Sequence, residues 1–286
     1  MKQLIITSDD FGLSPGVNAA VEQGWKDGLL TCASIMAGGD SFDEAVAIAR
    51  RNPGLQVGLH LTLVQGRPVL PRENVADLVD SSGCFTDNPV AAGMRYFFDA
   101  GLRMQLRREI EAQIVKVKEA GIEVTHIDGH LNIHLHPTVF GILSELMPVH
   151  GITSLRLSRE RLTHNLRFDR NRVIGKSVER IIFGSLSRHA VRELRLRGIR
   201  FATEVKGVLN SGRMTEEYVL AILDGLQPGL TELYFHPGVL PDAEITRRMP
   251  DYRHREELAA ICSPRLRQRL NELDIRVVNY RGDVKC

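Results

Sequence analysis

The sequence predicts an α/β fold: a distorted (β/α) barrel of about seven parallel strands, TIM-barrel-like, built as a single domain over residues 1–286. Three observations lead there. Short β-branched runs alternate with helix-period segments along most of the chain, which implies a parallel sheet covered by helices. The alternation repeats seven or eight times with no second-domain signature, and barrels of this class commonly reach this length as one unit. Polar residues of metal-ligand type recur at the ends of the inferred strands, where such barrels place their active sites. An open, doubly wound sheet satisfies the first observation and is the runner-up.

The first strand, "KQLIIT" (2–7), runs into "SDDFG", and "FGLSPG" turns the chain into the helical stretch "PGVNAAVEQGWKDG". "TCASIMA" (31–37) and "LQVGLHLTL" (55–63) follow as strands. A long insertion at about 64–102 then carries the turn-rich pieces "RPVLPREN" and "DSSGCFTDNP". Connections of that length are usually functional, so a lid over a site is expected. The amphipathic "MQLRREIEAQIVKVKEAG" leads to the fourth strand, "EVTHID" (123–128), and the helix "PTVFGILSELMPVHG". "TSLRL" (153–157), "RFATEV" (200–205), "TELYFH" (231–236) and "IRVVNY" (275–280) complete the strands, with the helix "TEEYVLAILDGL" among them. Residues 156–200 are strongly basic, with Arg156, Arg159, Arg161, Arg167, Arg170, Arg172, Lys176, Arg180, Arg188, Arg192, Arg195, Arg197 and Arg200.

The 37 basic and 35 acidic residues leave a net charge of only +2, which argues against wholesale binding to a polyanion. A chain of this length buries enough apolar surface to need no staple. Cys32, Cys84, Cys262 and Cys286 form no C-x-x-C pair, which suits reduced thiols in the cytoplasm. No run approaches the roughly 20 apolar residues of a membrane span. The apolar stretch after Met1-Lys2 is too short for a signal peptide, and a cytoplasmic protein is expected.

The stretch "THIDGHLNIHLHPT" (125–138) gathers His126, His130, His134 and His136 around Asp128. His126, Asp128 and His130 alternate at i, i+2, i+4 and share a face if the strand continues. A division of labour follows, with His130 a metal ligand and Asp128 a partner that fixes a ring. His134 is then a ligand or substrate contact, and His126 supports the strand. Asp9 and Asp10 are neighbours, so in a regular strand they point to opposite faces. They serve one centre only if the backbone turns there, one ligating a cation and the other taking a proton from water. The alternative is a carboxylate that caps the next helix. His60, between Leu59 and Leu61, is a ligand if it has partners and a hydrogen-bonded core residue otherwise. His236 in "YFHPG" is placed to protonate a departing amine. One carboxylate with two imidazoles leaves room on a divalent ion for water and a substrate oxygen. The chemistry is metal-assisted hydrolysis of an amide or ester.

Four stretches in order, "TSDDFGLSPGVNAAV", "GLHLTLVQGRPVL", "THIDGHLNIHLHPTVF" and "YFHPG", resemble the YdjC-like (ChbG-type) carbohydrate deacetylases. The similarity touches the first 70 residues, about 120–157 and about 205–262. It implies a roughly seven-stranded barrel that removes acetyl groups from N-acetylated amino sugars with one divalent metal ion, zinc or magnesium foremost. By position it implies Asp10, His60 and His130 as metal ligands, Asp9 as general base and His236 as acid. His126 matches the histidine before the family's "D-S-H" element, and with Asp128 it is expected to support the ligands. This chain reads "D-G-H-L-N-I-H", with Leu131 and Asn132 where histidines are frequent, which bears on the substrate pocket rather than the metal site.

"HLHPTV", "GVLNSGRMTEE" and "ELYFHPG" are most similar to the hopanoid-biosynthesis-associated branch, which implies deacetylation of an N-acetylglucosaminyl hopanoid lipid. Soluble N-acetylated oligosaccharides such as chitooligosaccharides are the alternative. The expected substrate contacts are His134, Arg67, Arg156 and Ser211, the last on a loop before a helix, with Arg253 a further candidate. "KSVERIIFGSLSRHAVRELRLRG" interleaves Arg with Ile, Phe and Leu, as an interfacial helix does. Peripheral contact with the inner face of a membrane is therefore one reading, and an ordinary helix with a solvated basic face the other. No stacking aromatics or binding motif accompany these arginines, so nucleic acid is not an expected partner. Homo-oligomerisation is left open. A metal phosphoesterase and a non-catalytic sugar-binding module are the competing functions.

Overall fold

Strand β1 (Lys2–Phe11) is the spine of a seven-stranded parallel sheet in the computed structural model, which describes residues 1–162, 165 and 173–285. The other strands are β2 (Cys32–Ile35), β3 (Gln56–Leu61), β4 (Ile127–Gly129), β5 (Glu204–Lys206), β6 (Gly229–Phe235) and β7 (Ile275–Val277). Their order is β4-β3-β2-β1-β6-β5, with β7 also on β1. One edge of β1 carries β6 from Lys2↔Gly229 to Ser8↔Phe235, while the other is shared between β7 at Lys2–Leu4 and β2 from Thr7 onward.

Between β4 and β5 no ladder forms. Single bridges, Ile127↔Leu155 and Ser154↔Arg200, span that gap, and the Val205 N–H donates to the Arg159 carbonyl at 3.0 Å. The sheet is therefore a curled half-barrel rather than a complete one, and the strand expected at 153–157 is reduced to these bridges. Ser154, Arg156 and Ser158 are buried polar residues at alternate positions. Side-chain bonds inside the barrel, more than a ladder, hold this segment in place.

The helices are α1 (Pro15–Lys26), α2 (Phe42–Arg51), α3 (Pro89–Phe98), α4 (Leu102–Glu119), α5 (Pro137–Val149), α6 (Val173–Leu196), α7 (Glu216–Asp224), α8 (Ala243–Arg248), α9 (His254–Ile261) and α10 (Pro264–Glu272). Ser14, not an aspartate, caps α1, its hydroxyl accepting from Val17 N with Pro15 in the first turn. That removes the capping alternative for Asp9 and Asp10. Arg167, Arg170 and Arg172 of the basic stretch lie outside the described residues.

The insertion after β3 buries Val75, Leu78, Phe85, Ala92 and Tyr96 as an extension of the main hydrophobic core. Buried acceptors on α4 anchor it: Glu109 receives the Val69 and Leu70 N–H groups at 2.8 and 3.0 Å, and Tyr96 donates to the Leu63 carbonyl at 2.6 Å. Its helix α3 leaves Val90, Met94, Phe97 and Phe98 exposed. Phe97 and Phe98 meet edge to face, and Phe97 reaches His136 at 6.3 Å between ring centroids.

Gly58 in β3 is required by close packing. A Cβ there would lie 2.5 Å from three atoms of the His126 ring, which stacks on Tyr280 at 4.2 Å. Gly58→Ala is expected to destabilise the fold by about 1–3 kcal/mol through overpacking, seen as a lower urea midpoint at unchanged m-value. An unaltered midpoint would mean that the His126–Tyr280 stack is loose.

Candidate metal centre and active site

The end of β1 is where two adjacent acids reach one centre. Asp10 has φ of +60°, and the pairing with β2 slips between Ser8 and Phe11, a β-bulge. A left-handed residue re-aims the strand, and aspartate tolerates that conformation better than most. The turn thus starts at Asp10 itself, earlier than expected. Asn18 of α1 pins it, accepting from Gly12 N at 2.8 Å and donating to the Ser41 carbonyl at 3.0 Å and to Glu44 at 2.8 Å.

Beneath this bulge lies a buried guanidinium. Arg156 grips Asp9 with two forked bonds of 2.7 and 2.8 Å, meets Asp128 Oδ2 at 2.8 Å, and donates from Nε and Nη2 to Glu232 Oε1 at 3.0 and 2.9 Å. Its plane lies over Tyr234, 4.5 Å from the ring centroid. Glu232 also accepts from Thr7 Oγ1 at 2.9 Å and Tyr280 OH at 2.6 Å. Burial raises the Glu232 pKa, with Arg156 and Tyr280 opposing. Asp128 goes the other way: burial works against its charge, but Arg156 and His60 hold its carboxyl below the usual range.

Asp128 in turn orients His60, taking its Nδ1 at 2.8 Å, while Ser34 Oγ bonds Asp128 Oδ2 at 2.7 Å. The opposite nitrogen, His60 Nε2, lies 3.2 Å from Asp10 Oδ1, and His130 Nδ1 reaches the same oxygen at 3.0 Å. Burial alone would push Asp10 up, yet His130 and His60 hold it well below the usual carboxylate range. Burial likewise pulls His60 down, but Asp128 and Asp10 push it up to about 10.

These three residues fit a divalent ion. Their ligand atoms lie within 4.8 Å of one another, and Asp10 Oδ2 is buried with no hydrogen-bond partner among the described residues. One imidazole is backed by a carboxylate, the usual support of a metal-bound histidine. Asp9, His60 and Asp128 also converge within 4.8 Å, but Arg156, Ser34 and His60 occupy the oxygens of both acids. The Asp10 set is the better seat.

His130 opens the short helical segment 130–135, in which Leu131 and Asn132 both adopt left-handed conformations, φ +52° and +58°. Asn132 accepts a short bond from Ser158, and Leu131 is turned out to the surface. His236 closes the site from the β6 side. Its Nδ1 is buried without a partner among the described residues, and its ring packs edge-on against Tyr234 and Tyr252 at 5.6 and 5.1 Å. Its backbone is held by Glu257, which accepts from its N–H, and by His254 Nδ1, which lies 2.7 Å from its carbonyl. Burial lowers the His236 pKa, against the pull of Asp10 and Asp9.

Several expected contacts sit elsewhere. Arg156 is inside the barrel, 1% exposed, with three carboxylates around it, and is not a substrate-facing residue. His134 is fully buried, its Nε2 3.0 Å from the Arg156 carbonyl, and burial pulls its pKa down to about 4. It braces the turn instead of reaching outward. Arg67 is exposed, with Asp40 at 3.9 Å, and Arg253 pairs with Glu256 on the surface at 3.2 Å. Ser211 is half-buried and 3.0 Å from Tyr252 OH, which places it behind the His236 ring. His126 supports the sheet, bonding Ser34 and Thr125 at 3.1 and 2.9 Å, and burial pulls its pKa down to about 3. Residues the sequence reasoning missed are Glu232, Ser34, Asn18, Tyr234, Tyr252 and Glu257. Only Glu232 carried a signal, a charge in the middle of the apolar run "TELYF".

A curled parallel sheet with a carboxylate–imidazole centre at the C-terminal ends of its strands defines a metallohydrolase-type α/β architecture. The chain belongs to the YdjC-like protein family, which it matches over residues 3–272. A carbohydrate deacetylase of Clostridium beijerinckii is 26% identical over 283 residues, covering 98% of this chain and 99% of the relative. One from Mus musculus is 30% identical over 289 aligned positions, covering 93% and 89%. Among solved structures, a protein of Enterococcus faecalis V583 named for cellobiose-phosphate cleavage superposes with a TM-score of 0.76 at 25% identity, covering 99% of both chains.

Removing the central cation should be costly. Arg156→Leu leaves three buried carboxylates facing one another, and breaking such a network costs about 3–5 kcal/mol, read as a large drop in the denaturant midpoint. A change below about 1 kcal/mol would show that water reaches the cluster and screens it.

Proposed function

We propose that the protein is a metal-dependent amidohydrolase that removes the acetyl group from an N-acetylglucosamine unit. The observation that carries this reading is the Asp10–His60–His130 set with its orphaned carboxylate oxygen, flanked by Asp9 and His236, in a chain whose relatives are named carbohydrate deacetylases. A divalent ion held there would polarise an amide carbonyl and lower the pKa of water. Asp9 is the base for that water: each of its oxygens gives one lone pair to Arg156 and keeps another. His236 delivers a proton to the departing amine. Burial leaves its ring neutral at rest, so it must take up a proton before the C–N bond breaks, and the charges of Asp9 and Asp10 favour that form. The products are acetate and a free sugar amine.

For the substrate, a lipid-linked N-acetylglucosamine, such as an N-acetylglucosaminyl hopanoid, is supported by an apolar rim. Helices α3 and α6 both pack on the 130–135 segment. Val90, Met94, Phe97 and Phe98 of α3, and Leu131 next to His130, are exposed around it. No described helix is long and apolar enough to cross a membrane, so contact with a lipid surface would be peripheral. The Enterococcus relative's name favours a second reading, a soluble disaccharide substrate.

Metal content and acetate release measured together test the site. Asp10→Asn and His130→Ala are expected to lose both. Asp9→Asn should keep the metal, lose some stability through its broken contact with Arg156, and lose at least about 100-fold in kcat under folded conditions, as removal of a general base does. Full turnover by Asp9→Asn would remove it from that role. Acetate from an N-acetylglucosaminyl hopanoid but not from N,N′-diacetylchitobiose would fix the lipid reading, and the converse result the soluble one. Phosphoester hydrolysis with no acetate from either would replace the deacetylase reading altogether.

A further inference from the structure

On the flank of the barrel, residues 159–161, β5 and α6 enclose a cleft of about 540 Å³ that contains none of the metal-centre residues. Four arginines line it: Arg159, Arg161, Arg180 and Arg188. Many other surface arginines meet carboxylates, as in Arg51–Glu22, Arg107–Glu145 and Arg269–Asp224. Among the described residues, no carboxylate forms an ion pair with any of these four.

The two acids on the cleft wall are already engaged. Glu204 Oε1 accepts from Lys206 Nζ at 2.7 Å and from Arg161 N at 3.2 Å. Glu160 accepts from Leu209 N at 3.0 Å, and burial pushes its pKa up to about 7. Arg159 is half-buried and held in place, its Nε donating to the Thr203 carbonyl at 2.9 Å and its plane 6.0 Å from the Phe201 ring centroid. Burial, then the nearby Arg195 and Arg161, depress its pKa against the pull of Glu204, so the arginines here outweigh the one carboxylate charge that reaches them. On α6, Arg180 and Arg188 stand two turns apart with Gly184 between them, and a Cβ added at Gly184 would meet nothing within 4 Å. The floor between the two arginines is open space.

We propose that this cleft binds a phosphate-bearing anion. Arginine forks match phosphate oxygens in pairs, and a site with several of them holds a multiply charged oxyanion far better than chloride. The assignment stands on this cleft alone and does not depend on the deacetylase reading. The same phosphate chemistry is offered by a soluble phosphorylated compound or by the headgroup of an anionic lipid. The second source has support on the same helix, where Ile174, Val178 and Ile181 are exposed along one stripe and Ile181 borders the cleft.

The test uses the full-length protein in two arms. Calorimetry with inorganic pyrophosphate reads the soluble source. Co-sedimentation with phosphatidylcholine vesicles, with and without phosphatidylglycerol, reads the headgroup. The variant Arg180→Gln/Arg188→Gln removes two exposed side chains, and Arg103→Gln/Arg107→Gln removes the same charge from α4 as a control. At least a roughly tenfold loss of affinity is expected in the α6 variant and little change in the control, since two of the four guanidinium forks that would hold the oxyanion are lost. Heat with pyrophosphate assigns a soluble ligand. Retention by phosphatidylglycerol vesicles without such heat assigns the headgroup. Equal losses in both variants, or no binding in either arm, would overturn the site.

Discussion

One guanidinium organises the interior. Arg156 arrives on a segment that has almost no ladder of its own, yet it joins Asp9 of β1, Asp128 of β4 and Glu232 of β6. β1 and β6 are paired, but β4 neighbours neither of them, so the cluster ties the two ends of the curl together from inside, where only isolated backbone bridges close the gap. Water is excluded, and three acids around one cation leave an excess of negative charge. Buried charges of this kind persist only when they are paired and hydrogen-bonded. Ser34 adds a bond to Asp128, and Thr7 and Tyr280 add bonds to Glu232.

The metal centre inherits its order from the same cluster. Because Asp128 is fixed by Arg156 and Ser34, it can fix His60 Nδ1, and that leaves Nε2 aimed at Asp10. The Arg156 carbonyl meanwhile faces His134, which packs under Gly129 and steadies the turn that carries His130. His60 and His130, two of the three candidate ligands, therefore depend on one arginine that touches none of the three directly. Asp10, which meets His60 and His130 rather than the guanidinium, adds a fourth buried carboxylate to this interior. A protonated His60 offsets part of that excess in the metal-free protein, and a divalent ion would do so in its place.

Much of this was legible in the chain. Ligand-type residues at strand ends pointed to Asp10, His60 and His130 because parallel sheets expose those ends to one face, and distant motifs meet there by topology alone. His60 was ambiguous until its partners were in view, since an imidazole between two leucines reads the same as a core residue. Arg156 was misread: in a run of arginines its identity gave no hint that the next turn of chain would bury it. Arg67 differs, a loop arginine near the site motif that stands in solvent beside Asp40. "TSLRL" has strand composition and buries Leu155 and Leu157, but its alternate residues Ser154 and Arg156 are buried and polar, and it forms isolated bridges instead of a ladder.

The neighbouring acids Asp9 and Asp10 show how environment, not residue type, divides the chemistry. Both are aspartates, both are buried, and one bulge separates their directions. Asp9 has both oxygens on a guanidinium, which holds it in place but makes it a poor ligand. Asp10 faces two imidazoles through one oxygen and leaves the other unpartnered, an arrangement that is costly unless a cation completes it. A strand without the bulge would send one of the pair to the opposite face. The left-handed φ of Asp10 is thus the local cost of bringing two neighbouring carboxylates to one centre, and Asn18, which holds the following turn, supports that conformation.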